Sequence, residues 1–253
     1  MVAVAYILQI VLMVGIPVAL WLTVRRRWAT SWRLNGCGVL TFVASQLVHL
    51  PLASAFGALV RLPGFPLPSG SARVVLNAIV LGLLAGTCEQ GANYVALRRW
   101  LPRARGFRDA IGFGAGHGGG ESVILGVAAA ATLVFMVLRR GADGAGVPAG
   151  NSDQLAEAVT AYSSVPPWLP ILGGIERASA ILVHLATTAL VMLSFARDAL
   201  WPLVTAILWH ALVDGTAVYA VARSGVVAAE GIVFAFGVAS LIILRWARRG
   251  LED

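Results

Sequence analysis

The chain has 253 residues, of which 58% are apolar and only 12% are charged, and its formal net charge is +7. A soluble domain is nearer half apolar and a quarter charged, so this composition excludes a water-soluble globular protein. Seven membrane spans of about 20 residues would use roughly 140 apolar positions, which a chain of this composition supplies. The sequence therefore predicts an all-α, polytopic membrane protein, with residues 1–253 forming one bundle of about seven transmembrane helices.

The apolar runs place the predicted spans. In chain order they cover about Val2–Val24, Leu34–Val60, Arg73–Leu97, Asp109–Leu138, Ile171–Ala196, Ala199–Val221 and Val226–Leu244. The first run is too long for a signal peptide, and the second is expected to kink or end near Pro51. The polar stretch at about 141–165 is expected to lie outside the membrane, and Asn151 with Gln154 could cap a short surface helix there.

The basic residues predict the orientation of the bundle. All 19 of them are arginines. If the N-terminus lies outside, thirteen arginines face the cytoplasm, five face the other side, and Arg177 lies within a span. This is the bias of a multi-pass protein of a plasma or bacterial inner membrane with its C-terminus in the cytoplasm. Because the arginines cluster at span ends, the positive charge does not indicate a nucleic-acid partner; the expected surroundings are a lipid bilayer.

Ionisable side chains interrupt these spans, and such residues usually mark a site or a pathway because each costs about 3 kcal/mol or more in hydrocarbon. They are Glu89, His117, Glu121, Glu176, Arg177, His184, His210 and Asp214, together with His49. His117 and Glu121 are four residues apart and so share a helix face, and the same holds for His210 and Asp214. His49 lies near Pro51, fits no motif and is interpreted as structural.

The depths of these residues allow them to converge. At about 1.5 Å per residue from the cytoplasmic ends, six lie roughly 12 to 24 Å deep, namely Glu89, His117, His210, Glu121, His184 and Asp214. Glu176 and Arg177 lie nearer the outer face. Imidazoles and a carboxylate could hold zinc with an open position for water. Alternatively, a carboxylate could activate water while histidines stabilise the oxyanion. Both chemistries end in hydrolysis.

At these motifs the chain resembles the YhfC family of intramembrane proteases. That family is grouped with the CAAX-processing and bacteriocin-processing (CPBP) proteases, the PrsW proteases and the anterior-pharynx-defective subunit of gamma-secretase. The resembling stretches are Cys88–Gly91, Gly114–Glu121, Glu176–Arg177 with His184, and His210–Asp214, within about Leu81–Tyr219. The resemblance implies a membrane-embedded endopeptidase, glutamic-type or metallo, whose substrate is a membrane protein or a lipid-anchored peptide. Its core would be spans 3–6, about residues 73–222.

The expected roles follow the motifs. Glu89 or Glu121 would activate water. The three histidines would stabilise the oxyanion or hold a metal such as zinc, and the possible ligands are His117, His184, His210 and Glu121. Asp214 would orient His210 or serve as a further ligand, and Glu176 with Arg177 would brace or gate the site.

The chain departs from such proteases at the first motif, and this leaves other functions open. Cys88 stands where a first acid is expected, and Ala92 and Asn93 stand where a basic residue is expected. Glu89 is therefore the only acid there, which favours Glu121 as the base. One alternative is a proton-coupled transporter or channel, whose carboxylates and histidines form a relay. The other is a catalytically silent scaffold of the same fold.

Overall fold

The computed structural model of the chain describes residues 1–64, 66–140 and 152–251. In these ranges the chain forms eight helices and no strand. They are α1 (Val2–Trp28), α2 (Trp32–Leu59), α3 (Gly70–Arg99), α4 (Phe107–Arg140), α5 (Ser152–Ser164), α6 (Trp168–Ala196), α7 (Trp201–Ser224) and α8 (Val226–Arg249). All except α5 are long and apolar enough to cross a membrane. The predicted all-α, multi-pass membrane fold is confirmed.

Two expected details concern the effect of Pro51 on the second span and the cap of the surface helix. Helix α2 does not end at Pro51 but continues to Leu59. A proline is tolerated inside a membrane helix because neighbouring groups can satisfy the freed backbone carbonyl. The predicted surface helix is present as α5, but its expected cap falls on Asn151 and on the side chain of Gln154, which lie outside the described residues.

Helix α6 is the centre of the bundle. In its most apolar window 78% of residues are buried inside the protein, against 11–22% in the other spanning helices. It packs against α1, α4, α7 and α8, while α3 pairs mainly with α7, and α2 packs against α4 and α3. Residues on α6 are therefore the ones best shielded from lipid. We call the end of the bundle where α1, α3 and α8 terminate in arginines the arginine-rich end.

Glycines allow α4 to lie unusually close to three other helices. A Cβ atom at Gly116 would fall on the backbone carbonyl of Asn35 in α2, and one at Gly118 would lie 2.8 Å from Cβ of His184 in α6. A Cβ at Gly119 would lie 2.7 Å from the Trp21 side chain in α1. Small residues of this kind let membrane helices approach at backbone distance. The glycine-rich stretch of α4 thus brings α2 and α6 to the two sides of His117.

Candidate functional site

The ionisable residues of four predicted spans form one connected cluster inside the bundle. Its members are Glu89 on α3, His117 and Glu121 on α4, Glu176, Arg177 and His184 on α6, and His210 and Asp214 on α7. Glu89 and the three histidines are buried. The structure therefore brings together all eight residues that the sequence singled out, from helices far apart in the chain.

Glu89 is the centre of this cluster. Its Oε2 atom lies 3.2 Å from Nε2 of His117, 3.8 Å from Nδ1 of His184 and 3.6 Å from Nε2 of His210. Its other oxygen, Oε1, accepts a hydrogen bond of 3.1 Å from Nε2 of Gln46 in α2. One carboxylate oxygen thus faces three imidazoles that come from three other helices.

His117 lies between two hydrogen-bond partners. The hydroxyl of Thr41 donates to the backbone carbonyl of Gly38 and lies 3.1 Å from Nδ1 of His117, so Nδ1 is placed to donate to it. The other ring nitrogen, Nε2, lies 3.2 Å from Oε2 of Glu89. With the proton on Nδ1, Nε2 presents a lone pair, as a metal ligand does; with Nε2 protonated, it donates to Glu89.

The ring of His184 is held by a hydrogen bond from Nε2, the ring nitrogen that faces away from Glu89. Its Nε2 atom lies 2.6 Å from Oε2 of Glu121 and donates to that carboxylate. The other oxygen of Glu121 accepts from Nη1 of Arg177 at 3.0 Å, and Arg177 also pairs with Glu176. Because Nε2 carries the proton, Nδ1 of His184 also presents a lone pair, and among the described residues this buried atom has no hydrogen-bond partner.

In His210 the protonated ring nitrogen is the one that faces the other cluster residues. Nε2 of Gln90, which can only donate, lies 2.9 Å from Nδ1 of His210, and Asn93 in turn donates to the Gln90 carbonyl at 3.3 Å. His210 therefore carries its proton on Nε2, which lies 3.2 Å from Oδ2 of Asp214. With Nδ1 of His117 protonated, His117 and His184 present lone pairs to the centre of the cluster, whereas the Nε2 proton of His210 is directed to Asp214.

Three acceptor atoms that face one another in a buried place fit a bound cation. These atoms belong to Glu89, His117 and His184, and all lie within 4.8 Å of one another. Ligands about 2.0–2.1 Å from a tetrahedral zinc are roughly 3.3 Å apart, close to the separations of Glu89 from the two histidines. The orphaned Nδ1 of His184 supports the same conclusion, because a buried lone pair without a donor is costly.

The group that could hold a metal shares His117 and His184 with the possible ligands expected from the sequence, and it adds Glu89. Glu121 lies behind the His184 ring with both oxygens engaged. His210 stands at the edge of the group and presents a proton instead of a lone pair. The physical reason is that residues four apart on a helix lie about 6 Å apart along its axis, so Glu121 reaches past the point that His117 faces.

The sequence analysis missed the contribution of α2. Gln46 links Glu89 to His49, whose Nδ1 donates to the Gln46 carbonyl at 3.2 Å, and Thr41 fixes His117. His49, interpreted as structural, thus contacts the cluster only through Gln46. A signal was present, because Thr41, Ser45 and His49 follow one another at four-residue spacing on an otherwise apolar helix.

A small cavity gives access to the cluster. It has a volume of about 80 Å³ and lies among α3, α4, α6, α7 and α8, with Glu89, His184, His210 and Asp214 in its wall. The Asp214 side chain is 40% exposed, whereas those of Glu89 and His210 are nearly inaccessible. The cavity holds water-sized groups and opens on the Asp214 side.

Comparison of the sequence with known proteins shows the family to which the chain belongs. Residues 10–236 match the model of a family described as YhfC intramembrane metalloprotease. The chain is also 28% identical over 211 residues to a protein of Bacillus subtilis (strain 168) named "Uncharacterized membrane protein YhfC", covering 80% of this chain and 79% of that protein. No solved structure matches the chain. The family resemblance seen in the motifs is confirmed, and the chain belongs to the YhfC intramembrane metalloprotease family.

Proposed function

We propose that this chain is an intramembrane metalloprotease that hydrolyses peptide bonds of membrane proteins or lipid-anchored peptides. The observation that carries the proposal is the set of three buried groups, Glu89, His117 and His184, whose possible ligand atoms all lie within 4.8 Å of one another. The description of the family supports the same activity.

The three acceptors would be the metal ligands, two histidines and one carboxylate. Three protein ligands with a remaining open position are typical of catalytic zinc, whereas structural zinc has four. When bound, the metal would act as a Lewis acid that polarises a water molecule and the scissile carbonyl group.

The surrounding residues have separate tasks. Nε2 of His210 donates to Asp214 at 3.2 Å and lies 3.6 Å from Glu89, so turning this proton from Asp214 to the substrate would stabilise negative charge developing on the carbonyl oxygen. Asp214 accepts from His210 and reaches the cavity, so it is placed to take a proton from water. Glu121 has both oxygens occupied, by His184 and Arg177, and would hold the His184 ring in position.

A metal-free mechanism uses the same cluster differently. Glu89 would then take the proton from water itself, and the histidines would donate to the oxyanion. The two mechanisms differ in metal content. We expect the purified protein to bind about one zinc ion, to lose it in His117→Ala, and to keep it in His49→Ala. The second variant is the matched control, because His49 lies in the bundle but outside the ligand group. Metal-free wild-type protein with full activity would contradict the metal mechanism.

The activity itself is tested by comparing peptide N-termini in membranes of cells that express wild type, Glu89→Gln or Glu157→Gln at equal levels. The Glu157→Gln control makes the same chemical change at an exposed position of α5, which packs on α1 and α4. New termini with wild type and Glu157→Gln, but not with Glu89→Gln, would support a protease. Identical profiles from three folded proteins would contradict it, and proton flux in reconstituted vesicles would then separate a transporter from a scaffold.

A further inference from the structure

A crevice opens between α1 and α8 at the arginine-rich end, and none of the residues of the ionisable cluster lines it. Helix α1 packs on α4 and α6, and α8 packs on α6 and α7, so the gap between α1 and α8 lies over α6. The crevice has a volume of about 680 Å³. This is well within the range of about 300–1,000 Å³ that is usual for small-molecule sites.

The inner walls of the crevice are apolar. They are formed by Leu20, Val24, Phe107, Ile111, Leu185 and Leu244, most of which are buried. Leu20 comes seven residues before Arg27, so it lies about 10 Å along the axis of α1 from the arginine at the mouth. A ligand that fills this space must therefore carry a hydrocarbon portion at least that long, on the membrane side of the arginines.

The mouth of the crevice is strongly basic. Arg27 of α1 and Arg245, Arg248 and Arg249 of α8 line it and are exposed. Arg248 and Arg249 follow Arg245 by three and four residues, so both lie on the same side of α8 as Arg245. No carboxylate occurs among the described residues that line the crevice. A ligand at this mouth is expected to be anionic.

We propose that this crevice binds a phospholipid with an anionic headgroup and two acyl chains. Guanidinium groups pair with phosphate oxygens through two parallel hydrogen bonds, and the apolar walls would take the upper part of the chains. Basic pockets between transmembrane helices at a membrane surface are suited to anionic headgroups. A zwitterionic lipid offers the same chains but no net charge. The inference does not depend on the proposed peptidase activity, because it uses none of the residues assigned to it.

The test is a titration of the delipidated full-length protein in neutral detergent, read by native mass spectrometry. Phosphatidylglycerol and phosphatidylcholine with identical chains are the probes. Wild type is expected to prefer phosphatidylglycerol. In Arg245→Gln/Arg249→Gln its dissociation constant should rise about 30-fold, since each arginine contributes roughly 1 kcal/mol. The affinity for phosphatidylcholine should stay unchanged.

The matched control is Arg99→Gln/Arg103→Gln, which removes two exposed charges at the end of α3 and in the loop after it, at the same end of the bundle but outside the crevice. Its affinity for phosphatidylglycerol should change less than about threefold, because distant surface charges are screened. Equal losses in the two double variants would overturn the proposal in favour of diffuse electrostatic attraction. So would equal binding of both lipids by wild type.

A further variant tests the hydrocarbon part of the site. Thr23→Trp would fill the crevice while leaving every arginine in place, since Thr23 lines it and is exposed. It is expected to weaken phosphatidylglycerol binding at least tenfold. Unchanged affinity in a folded Thr23→Trp protein, or displacement of the lipid by soluble glycerol phosphate at millimolar concentration, would overturn a two-chain ligand. Because this variant keeps the charges, it decides the question even if the arginine variants fail to fold.

Discussion

Replacing Gly118 by alanine should damage the site while leaving the bundle folded. The new Cβ would lie 2.8 Å from Cβ and 2.9 Å from Cδ2 of His184. Carbon atoms pack best at about 3.5–4.0 Å, so the His184 ring must move by about 0.7 Å or more. That ring offers Nδ1 to the ligand group and Nε2 to Glu121, so both contacts shift together.

The expected magnitudes separate function from stability. A misplacement near 1 Å at a reacting centre costs up to about 100-fold, so we expect the cleavage rate and the zinc affinity of Gly118→Ala to fall roughly 10- to 100-fold. Overpacking costs about 1–3 kcal/mol, while alanine gains about 1 kcal/mol over glycine inside a helix. The free energy of unfolding should therefore drop by only about 0–2 kcal/mol.

Gly112→Ala is the matched control on the same helix. Its new Cβ would lie 3.4–3.5 Å from Thr30 and Leu34, which is ordinary contact. It should keep zinc and activity, as measured by chelator competition and by the cleavage rate of a substrate found in the N-terminus comparison. If Gly118→Ala matches Gly112→Ala in both assays, His184 is not held in place by the glycine face of α4 and the reasoning is refuted.

Three further predictions concern the partners of the cluster. Arg177→Met should lower the free energy of unfolding by about 2–3 kcal/mol, somewhat less than the cost of breaking a fully buried pair, because Glu176 and Glu121 are part-buried and Glu121 keeps His184 as a partner. Arg177→Met/Glu121→Gln should regain part of that loss, and thermal unfolding in detergent that shows no recovery would contradict the pairing. Gln90→Leu should slow cleavage roughly 10- to 100-fold and leave zinc bound, because His210 can then carry its proton on Nδ1 instead of Nε2. Loss of zinc from this variant would indicate that His210 is a ligand. Gly116→Ala should give no monodisperse protein on size exclusion, since its Cβ collides with backbone, and a well-folded variant would refute that packing.

The fold and the membership of the cluster could be predicted from the sequence because both rest on strong local signals. Long apolar runs bounded by arginines define the spans. Each ionisable residue in hydrocarbon is costly enough to indicate a purpose. The four-residue spacing of His117 and Glu121 correctly placed them on one side of α4, where His117 faces Glu89 and Glu121 faces His184.

The detailed roles could not be predicted, because they depend on which helices are neighbours. The motifs left Glu89 and Glu121 as alternative bases, and Cys88 in place of an expected acid put the role of Glu89 in doubt. In the structure Glu89 is the residue that three histidines face. Likewise, Thr41 and Gln46 are uncharged, and their spacing on α2 does not indicate which helices they would contact. They join the cluster only because α2 packs against both α3 and α4.

The central position of α6 has a consequence for how the protein is made. Chains are synthesised from the N-terminus, so α1 to α4 enter the bilayer before the helix that fills the space among them. During that interval Glu121 has neither His184 nor Arg177 beside it, and Glu89 has only His117 and Gln46. Biogenesis is therefore expected to pass through an intermediate in which Glu121 lacks both of its partners in the membrane. Chains interrupted before α6 should be substrates for membrane quality control.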